Sequence, residues 1–186
     1  MQIVLKPLFF VLGDRIQTEK EKEVLRKAHQ HGHEIQLHGI NQHRAITKYK
    51  DEEILQQLEL SKTRIETAIK QKFSNDKTWY FRPPWGAMNN RTTSLLKKNN
   101  YKIVIGDVLI SKFNFANFRT EEPYRPAVRK ITNSTKGGSI IILHVGQNKH
   151  NGERTWDSPA TAKTLDKVIQ ELSQEFEFVT LSELLK

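Results

Sequence analysis

The sequence alternates short apolar runs with amphipathic segments of helical period, and this alternation limits the folds open to it. Pro7–Leu12 is continuously apolar, as is typical of a strand buried on both faces, and Ser139–Leu143 repeats that pattern near the C-terminus. Between them, Asp51–Lys72 places Ile and Leu residues at three- and four-residue steps or their multiples, which indicates a helix. Repeated strand–helix units predict a parallel sheet, either wound open or closed into a barrel.

Local signals set the ends of the predicted elements. Thr18 and Glu21 form a capping-box pattern that starts a helix, and Gly32 is its predicted stop. Ser158 and Pro159 are a favourable N-cap and first residue for a helix that reaches about Ser173. The remaining predicted strands are Glu34–His38, Thr78–Phe81, Lys102–Asp107 and Glu177–Thr180, and the remaining predicted helices are Asn90–Asn99, Tyr124–Ile131 and Leu181–Lys186.

The length and the apolar content favour one folded domain. With 186 residues, 37% of them hydrophobic, the chain can bury a sizeable core and is too apolar to be disordered. No run approaches the roughly 18–20 apolar residues of a membrane span, so we expect no stable membrane insertion. Lys6 and Pro7 interrupt the apolar start, which does not predict a signal peptide. We therefore expect a single domain over residues 1–186.

The net charge of +9 raises the question of a nucleic-acid partner. The basic residues are dispersed, and many alternate with acids, as in Glu19–Glu23. No RNA-binding signature and no Cys/His finger is present. A solvated basic face is therefore favoured over a nucleic-acid groove, and no nucleic-acid partner is expected.

Three polar groups follow predicted strand ends, where parallel α/β folds place their active sites. They are the pair His38 and His43, the segment Arg82–Gly86, and His144. The chain has no cysteine, so any metal must be held by His, Asp or Glu, and imidazoles are natural ligands for zinc. A metal can activate water, a further histidine can protonate a leaving amine, and an arginine can orient a carboxylate.

The segment Arg82–Gly86 is predicted to be a rigid loop. Pro83 and Pro84 forbid a helix and fix φ, and Gly86 allows a turn. The loop would hold one guanidinium and one indole in place just after a strand. An ordinary Pro-Pro turn is the alternative interpretation.

These segments together resemble a known family. His38–His43 is similar to the paired-histidine motif of NodB-type polysaccharide deacetylases, carbohydrate esterase family 4. Arg82–Gly86 resembles the family's Arg-x-Pro-x-Gly loop, and Leu143-His144 its C-terminal motif. Leu8–Gly13 resembles one of its strands, and Phe178–Leu185 its ending. The motifs stand in the family's order over nearly the whole chain.

The resemblance implies a fold and a reaction. It implies an α/β fold of the distorted (β/α) barrel type. It also implies metal-dependent removal of N-acetyl groups from an N-acetylglucosamine-containing polysaccharide, similar to chitin or peptidoglycan. The cofactor would be a divalent metal, zinc or a similar ion, and His38 and His43 would be two of its ligands.

The resemblance also implies roles for the remaining site residues. Arg82 would hold an aspartate base, and His144 would be the general acid. The backbone N–H of Trp85 would help to stabilise the oxyanion, while its ring would form a wall against the sugar. The implied substrate-binding residues are Pro84, Trp85 and Gly86.

The chain departs from the family pattern at the acids. No Asp-Asp pair is present, so we expect the first strand–helix unit, which carries that motif, to be missing. Four residues separate His38 from His43 where the family has three, so the two rings could converge only across a loop. No acid stands near Lys112-Phe113 to orient His144, and Asp107 is the nearby alternative. We therefore expect weak metal affinity and little turnover from the chain as written.

Two other functional classes stay open. One is a catalytically inactive relative that binds glycan or metal, and the other is a basic binding module that shares only the scaffold. In those classes His38 would be a buried hydrogen-bonded residue, Arg82 a salt-bridge residue, and His144 a residue that ends a strand. His29, His31 and His33 are expected to be solvated or to lie outside the first layer of a site.

Overall fold

The computed structural model describes residues 6–109, 124–144, 147–148, 154–155 and 159–185. Its contacts divide the chain into two compact units, Met1–Ile105 with Val179–Lys186 and Gly106–Phe178. The single domain expected over residues 1–186 stays a prediction. Lys112-Phe113 and the predicted N-cap Ser158 lie outside the described residues.

The first unit is built on a four-stranded parallel sheet whose strand order equals the order in the chain. The strands are β1 (Leu8–Val11), β2 (Glu34–Leu37), β3 (Trp79–Phe81) and β4 (Tyr101–Ile103). Because all four run the same way, the residues that follow them (12–15, 38–46, 82–87 and 104–105) form one carboxyl edge. The residues around the strand starts (6–8, 33–34, 77–79 and 100–101) form the opposite amino edge.

The helices of the first unit begin and end close to the predicted positions. They are α1 (Glu19–Gln30), α2 (Asp51–Ile69) and α3 (Asn90–Lys98), with a short C-terminal helix at Leu181–Leu184. At the start of α1, Thr18 Oγ1 accepts a hydrogen bond from Glu21 N, and Glu21 Oε2 accepts one from Thr18 N at 2.8 Å. Gly32 follows α1 with φ +81°, a left-handed conformation that suits glycine.

The apolar faces of these elements form the core beneath the carboxyl edge. Leu37 and Phe81, which end β2 and β3, are fully buried and lie opposite each other in the register. They belong to one cluster with the apolar face of α2, including Ile54, Leu58 and Ile65. Burying such side chains contributes roughly 1.5–3 kcal/mol each. The core therefore holds in place the strand ends from which the residues after Leu37 and Phe81 continue.

The second unit is built on a two-stranded parallel pair and two helices. β5 (Val108–Leu109) pairs with β6 (Ile141–Ile142), and β7 (Gln147–Asn148) pairs antiparallel with β8 (Arg154–Thr155). The helices are α4 (Arg125–Ser134) and α5 (Pro159–Leu172), which makes the C-terminal helix at Leu181–Leu184 α6. The buried core residues are Val108, Ala127, Val128, Ile131, Val168 and Leu172.

Two predicted strands differ from the structure. The predicted strand Lys102–Asp107 is divided, because β4 ends at Ile103 and β5 begins at Val108 in a different sheet. Gly106 lies at the break, where an added Cβ would come within 2.6 Å of Ile140 O. Glu177–Thr180 forms no strand. Phe178 packs on the core of the second unit, and Thr180 is instead the N-cap of α6.

Among the helices of the described residues, none combines the length and the apolar character that a bilayer span requires.

Candidate active site

His38 is held by the sheet itself. Its backbone N–H donates to Val11 O at 3.0 Å, which extends the β1–β2 ladder by one residue. Its ring Nδ1 lies 2.7 Å from the carbonyl oxygen of Arg82. A carbonyl only accepts, so Nδ1 carries the proton, and in a neutral ring the lone pair is on Nε2. A histidine oriented in this way is typical of metal ligands and of catalytic bases.

The segment Arg82–Gly86 is a tight loop on the same edge. Arg82 N donates to Leu37 O at 3.0 Å, so the loop begins in register with β2. Pro83 and Pro84 are buried, and Gly86 N donates to Pro83 O at 3.1 Å. Trp85 has φ +62° and Gly86 has φ +65°. A left-handed conformation costs an L residue roughly 1–2 kcal/mol, so Trp85 is held in a strained conformation at the tip of the loop.

Trp85 is the most exposed large apolar residue of the described chain, with 72% of its surface accessible. Its indole Nε1 donates to Gln42 O at 3.2 Å, so the ring also fixes the loop that carries the histidines. An exposed aromatic face beside polar groups is a surface on which a sugar ring can stack. The predicted rigid loop with a presented indole is therefore present.

Arg82 is half-buried, and burial lowers the pKa of its guanidinium. An arginine stays protonated even so, because its ordinary pKa is far above neutrality. Across the described residues, no carboxylate forms an ion pair with it. The carboxyl edge thus carries a partly desolvated positive charge.

His43 lies in the same irregular segment as His38, as its spacing predicted, but it is exposed. Its backbone N–H donates to Asn41 Oδ1 at 3.1 Å. A catalytic zinc site has three protein ligands and one open position. Within the part of the chain that the structure describes, no three His, Cys, Asp or Glu residues lie together so as to hold a metal ion. The described residues therefore do not complete the metal site that the two histidines suggest.

His144 belongs to the second unit, where it follows β6 and is exposed. Its carbonyl accepts a hydrogen bond from Thr161 Oγ1 at 3.0 Å, which fixes the backbone at the end of the strand to α5. Asp107, the alternative acid to orient His144, forms hydrogen bonds with other residues. Its carboxylate accepts from Ile140 N at 2.7 Å and from Ser139 Oγ at 2.8 Å, and these bonds lower its pKa.

Two residues that build the carboxyl edge, Gly13 and Asp14, had no role predicted from the sequence. Gly13 N donates to Gly39 O at 2.9 Å and Asp14 N donates to Ile40 O at 2.8 Å, which anchors the histidine loop to the end of β1. An added Cβ on Gly13 would lie 2.7 Å from Ile40 Cδ1. The Oδ1 atom of Asp14 is buried and accepts no hydrogen bond from the described residues. The sequence feature that could have indicated these two residues is a Gly-Asp pair directly after a predicted buried strand.

Comparison with known proteins finds relatives in sequence and in fold. The sequence model of the family described as Polysaccharide deacetylase matches residues 4–104, more than half of the chain. A Bacillus cereus protein named peptidoglycan-N-acetylglucosamine deacetylase is 29% identical over 181 residues, which are 96% of this chain and 74% of the relative.

Solved structures share the fold. A family 4 acetyl xylan esterase from Clostridium thermocellum, in complex with a cobalt ion, has a TM-score of 0.72 at 23% identity, covering 96% of this chain and 76% of that one. A mutant of a CE4 family pseudoenzyme has a TM-score of 0.73 at 18% identity, covering 98% of this chain and 57% of that one. The predicted fold class, the α/β fold of the distorted (β/α) barrel type, is confirmed, and the chain belongs to the polysaccharide deacetylase family.

Proposed function

We propose that this protein removes N-acetyl groups from an N-acetylglucosamine-containing polysaccharide of the peptidoglycan or chitin kind. The family assignment supports an acetyl-removing enzyme, and the relative from Bacillus cereus is named for action on N-acetylglucosamine in peptidoglycan. The observation that carries the proposal is the hydrogen bond from His38 Nδ1 to the Arg82 carbonyl. It joins two of the predicted motifs at one edge and orients the imidazole for chemistry.

The proposed cofactor is a divalent metal, zinc or a similar ion, with His38 and His43 as two of its ligands. The cobalt ion of the acetyl xylan esterase structure supports metal use in a protein of this fold. Because the described residues supply no third donor beside the histidines, no step of the reaction is assigned to the ion.

The other proposed roles belong to this chain's own side chains. The exposed Trp85 ring, with Pro84 and Gly86, would form the wall on which an N-acetylglucosamine ring stacks. The half-buried Arg82 guanidinium would orient a carboxylate, and the Trp85 backbone N–H would donate to the oxyanion. His144 would protonate the leaving amine, a role that rests on its motif after β6.

The test is acetate release from chitin oligosaccharides and from peptidoglycan. It should be run on protein purified from its native source and on the 186-residue chain, each with added zinc or cobalt and with a chelator. We expect metal-dependent acetate release from the native protein, and loss of that release in a His144→Ala variant. Unchanged acetate release in His144→Ala would contradict the role of His144 as general acid. Acetate release that a chelator does not reduce would contradict the proposed metal cofactor.

A second candidate is a glycan-binding relative without turnover. The observation that favours it is the lack of a third metal donor beside the two histidines in the described part of the chain. Chitin-oligosaccharide binding that depends on Trp85 but yields no acetate with any metal would identify this case. Binding to nucleic acid that weakens steeply with salt would instead indicate the basic binding module.

A further inference from the structure

A narrow cleft opens at the carboxyl edge, between the histidine loop (residues 38–46) and the first half of α2. The residues that line its mouth are Gly39, Asn41, Arg44, Tyr49, Gln57 and Pro84. The enclosed space is about 10 Å³, which is room for one water at most, so a larger ligand would bind at the mouth. Gly39 directly follows His38 and Pro84 directly precedes Trp85, so the cleft adjoins both loops of the proposed deacetylase site.

Arg44 is the exposed cation of this cleft. Its guanidinium carbon lies 4.0 Å from the centroid of the Tyr49 ring. Stacking on an aromatic face holds the planar group in place and leaves its N–H donors unused. Within the described residues, Arg44 forms no hydrogen bond and no ion pair. Its donors are therefore available to a ligand.

The ring under Arg44 belongs to a fixed segment. Arg91 on α3 donates from Nη2 to Tyr49 O at 2.9 Å and to Thr47 O at 3.2 Å. The Nη1 atom of Arg91 also pairs with Asp51 Oδ1 at the start of α2. Asp51 is thus neutralised by a different arginine, and the Tyr49 backbone that supports Arg44 is tied to α3.

Two side-chain amides add further donors to the cleft. Asn41 Oδ1 accepts from His43 N at 3.1 Å, which leaves the NH₂ group of Asn41 as a donor. The side-chain amide of Gln57 has no hydrogen bond with any other described residue. No aspartate or glutamate is among the described residues that line the cleft. A cleft with several unused donors and no acid is suited to an anion.

The rest of the carboxyl edge has the same sign of charge. Its segments 12–15, 38–46, 82–87 and 104–105 contain three arginines and one acid, Asp14. Asp14 lies beside Arg15, with its Oδ1 3.9 Å from the Arg15 Nε. Arg44 and the half-buried Arg82 remain without an acidic partner in the described chain. The edge therefore attracts an acidic polymer and gives no such advantage to a neutral one.

We propose that this cleft binds a carboxylate carried by the sugars of the glycan, and that Arg44 selects an acidic strand over a neutral one. The inference rests on the proposed deacetylase function and narrows its substrate. Chitin carries no carboxylate, whereas every second sugar of a peptidoglycan strand carries a lactyl ether that ends in one. The planar guanidinium of Arg44 can donate to both carboxylate oxygens, and the amides of Asn41 and Gln57 supply additional donors.

The test is calorimetric titration of the 186-residue chain with three tetrasaccharides. They are a peptidoglycan strand without stem peptides, the same strand with its carboxylates methylated, and chitotetraose. We expect the free acid to bind about tenfold more tightly than its methyl ester. Arg44→Gln should abolish this difference and leave the affinity for chitotetraose unchanged. Arg44→Lys, which keeps the charge without the planar fork, should retain part of the difference.

The matched control is Lys48→Gln, an exposed lysine close to Arg44 that does not line the cleft. It should change the preference for the acid by less than about twofold. A loss as large as that of Arg44→Gln would assign the preference to the general positive charge and overturn the proposal. Equal binding of acid and ester to the unmodified chain, or binding of neither, would overturn it as well. So would an Arg44→Gln loss that is equally large for chitotetraose.

Acetate release from the same oligosaccharides separates this inference from the proposed function. An Arg44-dependent preference for the acid without acetate release would support the cleft and contradict the deacetylase activity. Acetate release without any preference for the acid would support the deacetylase activity and contradict the role of Arg44.

Discussion

The two edges of the four-stranded sheet hold their polar groups in different ways. At the carboxyl edge, the His38 ring donates to the Arg82 carbonyl and the Trp85 indole donates to the Gln42 carbonyl. At the amino edge, Lys77 lies on aromatic rings and Glu34 Oε2 is buried without a hydrogen bond from the described residues. Hydrogen bonds fix which atom of a side chain faces outward, whereas burial without partners changes the protonation of the group.

The difference shows how each edge can be tested. The carboxyl edge is organised by backbone geometry, so its variants should change activity or the position of a loop. The amino edge is organised by desolvation, so its variants should change the dependence of stability on pH.

Replacing His38 should have the largest effect. In the active protein, His38→Ala should reduce acetate release by about 100-fold or more, because it removes the imidazole that Arg82 orients. The assay is acetate release with saturating metal. The matched control is His31→Ala, an exposed histidine after α1, which should retain wild-type activity. Equal activity of the two variants would contradict the assignment of His38 to the catalytic site.

Adding one methyl group at Gly13 should disturb the carboxyl edge through packing. Gly13→Ala would place a Cβ 2.7 Å from Ile40 Cδ1 and 2.8 Å from Ser61 Oγ, so these side chains or the α2 backbone at Ser61 must shift. We expect a loss of about 1–3 kcal/mol in the free energy of unfolding, measured by urea denaturation. Gly137→Ala is the control, because its Cβ would enter open space. Equal stability of the two variants would contradict the close packing at Gly13.

Trp85 should affect binding more than stability. Trp85→Gly relieves a left-handed backbone, but it also removes the Nε1 bond to Gln42 and gives the unfolded chain the freedom of glycine, so the free energy of unfolding should change by less than about 1 kcal/mol. Affinity for chitin oligosaccharides should fall about tenfold with the loss of the ring. Calorimetric titration measures the binding, and Trp85→Phe should keep most of it. Unchanged affinity in Trp85→Gly would show that the exposed indole is not part of the sugar site.

The smallest effect is expected at the amino edge and depends on pH. The pKa of Lys77 is about 8 in the folded chain and about 10.4 when unfolded, so between these values the unfolded chain binds more protons. The free energy of unfolding should therefore rise with pH in that window, and Lys77→Met should reduce the rise. Burial raises the pKa of Tyr101, which lowers stability above pH 10 in both proteins, so the informative quantity is the difference between their urea curves. Parallel curves would show that Lys77 is not desolvated.

The elements were predictable where one local signal decides the conformation. The Thr18–Glu21 capping box and the glycine after α1 stand where the sequence placed them. The division of Lys102–Asp107 depends on how closely Gly106 approaches Ile140, which is a tertiary contact without a local sequence signal. The predicted strand Glu177–Thr180 is not formed, because Phe178 packs on the core of the second unit without pairing to a described strand.

The candidate site was predictable only in part, because some of its contacts are tertiary and leave no local signal in the sequence. Strand ends located His38 and the Arg82 loop, because the carboxyl ends of parallel strands share one edge. The histidines near Gly32 were predicted to be solvated or to lie outside the first layer of a site. His33 is not fully solvated, because its Nδ1 is buried and its ring packs edge-on at 5.6 Å from Phe9. Burial also lowers the pKa of His33. Periodicity cannot show which aromatic ring will cover a given histidine or lysine.

The strand order of the sheet bears on how the protein is made. Because β1 to β4 lie side by side in the order of synthesis, each new strand finds its neighbour already in place. The His38 loop can thus settle on β1 while the chain is still emerging from the ribosome. The Arg82 carbonyl arrives one crossover later and fixes the imidazole in its final orientation.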